Sequence, residues 1–115
     1  MNIYIDIDET ICCRADCYEN VQPILENIQR ANKLYDDGHQ ITYWTARGTK
    51  TGVNHYDLTK SQLDKWGVKY HELKMGKPAY DIIICDKSMH PRDWPSLDQL
   101  WKSYTEKAQN NSPKL

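Results

Sequence analysis

Asp6-Ile7-Asp8-Glu9-Thr10 sets two carboxylates two residues apart, where the β-branched and aromatic run Asn2-Ile3-Tyr4-Ile5-Asp6-Ile7 turns acidic. On an extended chain, side chains at i and i+2 point the same way. Like charges so close repel unless a cation sits between them or one is protonated. A hard divalent cation such as Mg²⁺, held by oxygen ligands, resolves that repulsion. Asp86 follows a second apolar run, Asp81-Ile82-Ile83-Ile84-Cys85, and adds a third carboxylate. Thr45 and Lys77 offer what a phosphate needs, a hydroxyl donor and a positive point charge, and Arg47 adds a planar fork. A carboxylate can attack phosphorus once its own charge and that of the phosphoryl oxygens are offset.

Each residue alone has an ordinary role. Thr45 suits a strand-end hydroxyl capping a turn. Lys77 suits a solvated surface lysine, and Asp86 suits the N-cap of a following turn. Arg47 could pair with a surface acid at little energetic gain. What those roles leave unexplained is that all of them fall at one edge of the expected sheet.

The elements that must position them follow from periodicity. A first strand ends at the acid pair, and residues 9–20 have no clear period and read as a loop or small flap. A helix begins at Gln22-Pro23, with Ile24, Ile28, Ala31 and Tyr35 at helical spacing and Leu25 and Leu34 widening the stripe. Gly38 stops it. Ile41-Thr42-Tyr43-Trp44 is a second strand, and residues 48–54 form a loop rich in Gly, Asn and hydroxyls. A second helix covers about 57–66 before Gly67, and residues 68–73 make a weaker third strand. Residues 81–85, the most apolar segment, read as a buried fourth strand. Leu97, Leu100, Trp101 and Tyr104 mark a final helix, and residues from about 108 a frayed tail. Trp66 and Trp101 are expected in packing, and Trp94 against the final helix. This order predicts an α/β fold, a Rossmann-like three-layer domain with a mainly parallel sheet. In such sheets, chemistry sits beyond the carboxyl ends of the strands, where Asp6, Asp8, Thr45, Arg47 and Asp86 fall.

The 115 residues suffice for one domain. Fifteen Lys and Arg against sixteen Asp and Glu leave a net charge of -1, which argues against a domain held on nucleic acid mainly by counterion release. No apolar run approaches a membrane span, and acids occupy the first eight residues, so a cytoplasmic location is expected. Cys12, Cys13, Cys17 and Cys85 suit neither a disulfide framework nor paired zinc knuckles, and are expected as free thiols. His39, His55, His71 and His90 are scattered, with no metal-ligand spacing.

The whole pattern resembles the haloacid dehalogenase superfamily of phosphatases. Asp6-Ile7-Asp8-Glu9-Thr10 resembles the first motif of that family, Tyr43-Trp44-Thr45-Ala46-Arg47 the second, Gly76-Lys77-Pro78 the third, and residues 81–87 the fourth. The resemblance implies that Asp6 is the nucleophile, forming an aspartyl-phosphate that water hydrolyses. It implies that Asp8 protonates the leaving group and later activates water. Thr45 and Lys77 would hold the phosphoryl group, and Arg47 a substrate phosphate. Mg²⁺ would be held by the Asp6 side chain, the Asp8 carbonyl and Asp86.

Many similar members carry two adjacent acids after the fourth strand, whereas here the first is Cys85. The plainer consequence is that Asp86 suffices; the sharper is weaker metal binding or an altered metal preference. Intervals of about ten and about thirty residues between motifs leave no room for a cap domain. An open site then draws specificity from nearby loops, an oligomer neighbour or the bulk of the substrate. A small sugar phosphate, a phosphoprotein or the terminal phosphate of a nucleic acid would suit it, with Lys50, Lys74, Lys87 and Arg92 attracting anions at the rim. Two alternatives remain open: an inactive phosphate- or metal-binding module, and a phospho-accepting receiver-like domain. Motif order argues against the receiver.

Overall fold

A computed structural model of the chain describes residues 1–96. The chain divides into two compact units, Met1–Asp81 and a second that begins at Ile82.

The first unit is a Rossmann-like α/β fold. Strand β1 (Asn2–Ile5), helix α1 (Leu25–Asp36), strand β2 (Gln40–Trp44), helix α2 (Tyr56–Lys65) and strand β3 (Glu72–Lys74) follow in order. The sheet is parallel throughout, in the order β1-β2-β3. Ile3 pairs with Ile41 and Ile5 with Tyr43, and Tyr43 pairs in turn with Leu73. This register brings the ends of β1 and β2 level, so Asp6 and Thr45 emerge at the same edge.

The core is aliphatic. Ile5, Ile7, Ile11, Ile28, Ala31, Leu34, Ile41, Leu63 and Val68 are buried, and Tyr43 lies among the fully buried side chains. The stripe expected on α1 holds for Ile28, Ala31 and Leu34, whereas Leu25 is exposed at the first turn of the helix. Gly38 and Gly67 follow the two helices at φ of +98° and +70°, the left-handed conformation that ends a helix at little cost to glycine.

Residues 9–24 are more ordered than their lack of period suggests. The Cys13 N–H donates to the Gln22 carbonyl at 2.9 Å and the Ile24 N–H to the Ile11 carbonyl at 2.8 Å. Ile11, Cys12 and Val21 are buried beneath them, and Tyr18–Asn20 form a 3-10 turn. Their burial is irregular in sequence, so no helical or strand template detects it.

Two expected strands need correction. The third is limited to Glu72–Lys74, because only these residues pair with Thr42–Trp44. The fourth does not form: residues 82–85 make no ladder, and Ile82, Ile83 and Ile84 are exposed, Ile84 at 94%. Apolarity marks a segment that can enter a core, but a strand also needs a partner for its backbone groups. In the second unit, Pro91–Ser96 forms a 3-10 turn and Trp94 is buried. The expected final helix at residues 97–104, Trp101 with it, and the tail from 108 lie outside the described residues. So does any third layer that the helix would contribute. Trp66 is half-buried just past the end of α2.

Candidate active site

The segment after β1 turns sharply. The Thr10 and Ile11 N–H groups both donate to the Ile7 carbonyl, and the Glu9 N–H donates to the Cys12 carbonyl at 2.8 Å. Glu9 takes φ of +63°, the left-handed region that non-glycine residues rarely occupy. Strain of this kind gathers at functional sites. Asp6 and Asp8 take different counter-ions.

Asp6 pairs with Lys77, whose Nζ lies 3.2 Å from Oδ2. Its other oxygen, Oδ1, accepts the Ile7 N–H at 2.8 Å. Burial opposes the charge on Lys77, but the neighbouring Asp6 carboxylate and the Tyr80 side chain more than offset it, and the ammonium pKa is raised. Lys77 also lies 5.3 Å from the centroid of the Tyr80 ring, within cation–π range.

Asp8 pairs with Arg47. Nη2 donates to Oδ1 at 2.8 Å and Nε to Oδ2 at 3.0 Å, the two-pronged geometry that suits a guanidinium and a carboxylate. The Arg47 side chain has no solvent exposure, while Asp8 keeps 32%. Its remaining donor group, Nη1, bonds the Thr59 hydroxyl at 3.2 Å and the Gln62 carbonyl oxygen at 2.6 Å. Tyr18 covers the guanidinium, 4.7 Å from ring centroid to Cζ, and the Gln62 amide donates to the Tyr18 carbonyl at 2.7 Å. Burial works against the charge, but the hydrogen bond and negative charge of Asp8 win, and the Arg47 pKa is raised. The fork of Arg47, expected at a substrate phosphate, is engaged by Asp8 in this structure. A pairing with an acid was among the ordinary roles, but this one is buried and held from four sides.

Thr45 joins the two pairs. Its Oγ1 accepts the Arg47 N–H at 3.1 Å, which leaves the hydroxyl hydrogen for another acceptor. Its carbonyl accepts the Lys77 N–H at 3.0 Å, and its own N–H donates to the Lys74 carbonyl at 3.0 Å. Thr49 grips Lys77 from the other side, its hydroxyl donating to the Lys77 carbonyl at 2.8 Å. Asp6, Lys77, Thr45, Arg47 and Asp8 thus form one chain of direct contacts. Asp86 belongs to the second unit, where Cys85 Sγ accepts the Lys87 N–H at 3.3 Å.

Cys12 is a further neighbour. Its thiol lies 3.5 Å from Asp8 Oδ1 and 3.9 Å from Arg47 Nη2. Burial, then the Asp8 charge and hydrogen bond, push its pKa up to about 12. Cys12, Tyr18, Thr59 and Gln62 were not among the expected site residues. Thr59 and Gln62 gave a usable signal, being polar residues at i and i+3 on the face of α2 that also buries Leu63. Tyr18 and Cys12 gave none.

Among the described residues, no group of three or more His, Cys, Asp or Glu side chains is arranged to hold a metal ion. Also among the described residues, no helix is long and apolar enough to cross a membrane.

No family model and no curated protein matches the chain. Among solved structures, it is similar to a structural-genomics target from Vibrio cholerae, with a TM-score of 0.80 and 25% identity over 92% of this chain and 98% of that one. That likeness supports the α/β fold described above.

Proposed function

We propose that the chain is a phosphomonoester hydrolase of the haloacid dehalogenase type, working through an aspartyl-phosphate on Asp6. The observation that carries this reading is the Asp6–Lys77 ion pair, tied to the end of β2 by the bond from the Lys77 N–H to the Thr45 carbonyl, a nucleophile and a cation on one edge of a parallel sheet. An Asp6 oxygen attacks phosphorus as the bond to the leaving oxygen breaks, and Asp8 gives that oxygen its proton. Asp8 then takes a proton from water, whose oxygen attacks phosphorus and releases inorganic phosphate and free Asp6. Lys77 and the Thr45 O–H offset charge on the phosphoryl oxygens in both steps.

Mg²⁺ would be held in the first unit by the Asp6 carboxylate and the Asp8 carbonyl, and would supply charge neutralisation when bound. Its substrates are a small sugar phosphate or the terminal phosphate of a nucleic acid, and a homo-oligomer would be one source of specificity at a capless site. Free Cys12, Cys13, Cys17 and Cys85 fit a reducing compartment and support a cytoplasmic location. The deciding experiment is Mg²⁺-dependent phosphate release from an aryl phosphate. Asp6→Asn should abolish it, and near-normal turnover in that variant would reject the covalent scheme.

A second reading, an inactive phosphate-binding module, is favoured by one observation: both oxygens of Asp8 are already engaged by Arg47. Phosphate binding without turnover in the unaltered chain would select it.

A further inference from the structure

Beside the proposed phosphate site lies an open cleft of about 430 Å³. Arg47 and Gly76 bound it, and they neighbour Thr45 and Lys77 in sequence. Thr49 of the cleft donates to the Lys77 carbonyl at 2.8 Å, so a molecule whose phosphoryl group sits on Lys77 has the cleft beside it. We propose that the cleft receives the leaving group of the substrate, a neutral ring carrying hydroxyl or amide-type groups.

The cleft is formed before any ligand arrives. Gly48 sits at φ of +81° with the Val53 carbonyl where a β-carbon would lie, so the loop closes tightly on itself. The Gly52 N–H donates to the Gly48 carbonyl at 2.8 Å, and the Thr51 hydroxyl accepts the Val53 N–H at 3.2 Å. Asn54 Oδ1 accepts the Tyr56 N–H at 2.9 Å and so fixes the start of α2. The Thr49 bond to the Lys77 carbonyl ties the same loop to the phosphate-binding lysine. Pre-formed sites of this kind avoid the entropy cost of ordering a loop on binding.

The lining selects the class of occupant. Val53, Met75 and Tyr56 present apolar and aromatic surface, suited to the face of a ring. Asn54 keeps its amide N–H groups and Thr49 an oxygen lone pair, suited to polar groups at the ring edge. Among the described residues no carboxylate or lysine lines the cleft, His55 is its other titratable side chain besides that of Tyr56, and the Arg47 fork is held by Asp8. A second negative charge on the leaving group would have only His55 to meet it there, which disfavours an acidic peptide and, of the two substrate classes proposed above, a nucleic-acid end that would lay a further phosphate in the cleft. The volume is of the size that small-molecule sites have.

This inference rests on the hydrolase reading only for where the phosphate sits, and binding tests it separately from turnover. The probes are inorganic phosphate, glucose 6-phosphate and adenosine monophosphate, titrated into the unaltered chain and followed by NMR. The ring-bearing probes should shift the Val53, Met75 and Tyr56 resonances, which inorganic phosphate should leave in place, and the two arms tell a sugar ring from a nucleobase. Val53→Glu, at a site 54% exposed and so safe for folding, should weaken the better ring-bearing probe at least tenfold relative to inorganic phosphate. Absence of ring-dependent shifts at Val53 and Met75, or an unchanged affinity ratio in Val53→Glu, would overturn the proposal. Ring-dependent shifts without phosphate release would uphold the cleft and remove the hydrolase.

Discussion

Arg47 and Asp8, 39 residues apart in sequence, are joined by two parallel hydrogen bonds of 2.8 and 3.0 Å from a guanidinium that has lost all contact with solvent. Such a pair is costly to break from one side, because the survivor is left charged and without its partner. It also determines which way the carboxylate faces. Arg47→Lys keeps the charge and loses the fork. In that variant kcat should fall by about tenfold or more while KM stays near its original value, since the fork holds Asp8. A rise in KM with kcat unchanged would return Arg47 to substrate binding. Arg47→Ala should in addition lower the unfolding free energy by about 3 kcal/mol in denaturant titration.

Tyr43 offers a gain. Its ring fills the core at the centre of β2, but its hydroxyl is buried with no hydrogen-bond partner among the described residues. Burial alone holds that phenol in its neutral form, with the pKa pushed up. Tyr43→Phe removes the orphaned polar group and keeps the ring, so stability should rise by about 1 kcal/mol. A loss of stability on thermal or denaturant unfolding would reveal a partner for the hydroxyl.

The alkaline limb of stability follows from Cys12. Its thiol has an ordinary pKa of 9.0 that folding pushes up to about 12. Above pH 9 the unfolded chain therefore loses this proton while the folded chain keeps it. The contribution is fully present below pH 9 and is lost as pH rises toward 12, at a slope of about 1 kcal/mol per pH unit for one proton. Cys12→Ala should flatten the curve of stability against pH between 9 and 10. The same burial keeps Cys12 protonated at pH 8, so a thiol reagent should label the exposed Cys13 and Cys85 well before it. Rapid labelling of Cys12 in the folded chain would contradict its burial.

Gly48 is constrained by space as well as by φ. A β-carbon there would collide with the Val53 carbonyl, which is backbone and cannot rotate aside. Gly48→Ala should cost more than about 1 kcal/mol and displace residues 49–53, whereas Gly52→Ala, with open space around it, should meet only the penalty of positive φ. Equal losses in the two variants would show that the close approach to Val53 is unimportant.

Much of this molecule follows from local pattern. The alternation in residues 2–5 and 40–44, the stripe through Ile28, Ala31 and Leu34, and the stops at Gly38 and Gly67 place two helices and two strands within a few residues of where they lie. Asp6, Asp8 and Thr45 stand just past those strands, whereas Lys77 was placed before an expected strand that does not form, and its pairing with Asp6 comes from the fold. Residues 82–85 show where such reasoning fails. Three consecutive isoleucines satisfy any local criterion for a buried strand, yet pairing depends on a partner that local pattern does not name.

The sequence by itself determined the order of the first two strands and two helices with the strand that follows them, and the parallel sheet they form, because hydrophobic periodicity and chain connectivity act over short range. Only the tertiary structure decided which cation meets which acid. Lys77 lies 71 residues beyond Asp6 and Arg47 lies 39 beyond Asp8, and either cation could have served either carboxylate on charge alone. The register of β1 on β2, the left-handed turn at Glu9 and the grip of Tyr18, Thr59 and Gln62 on the guanidinium made the choice, through distances that no spacing along the chain encodes.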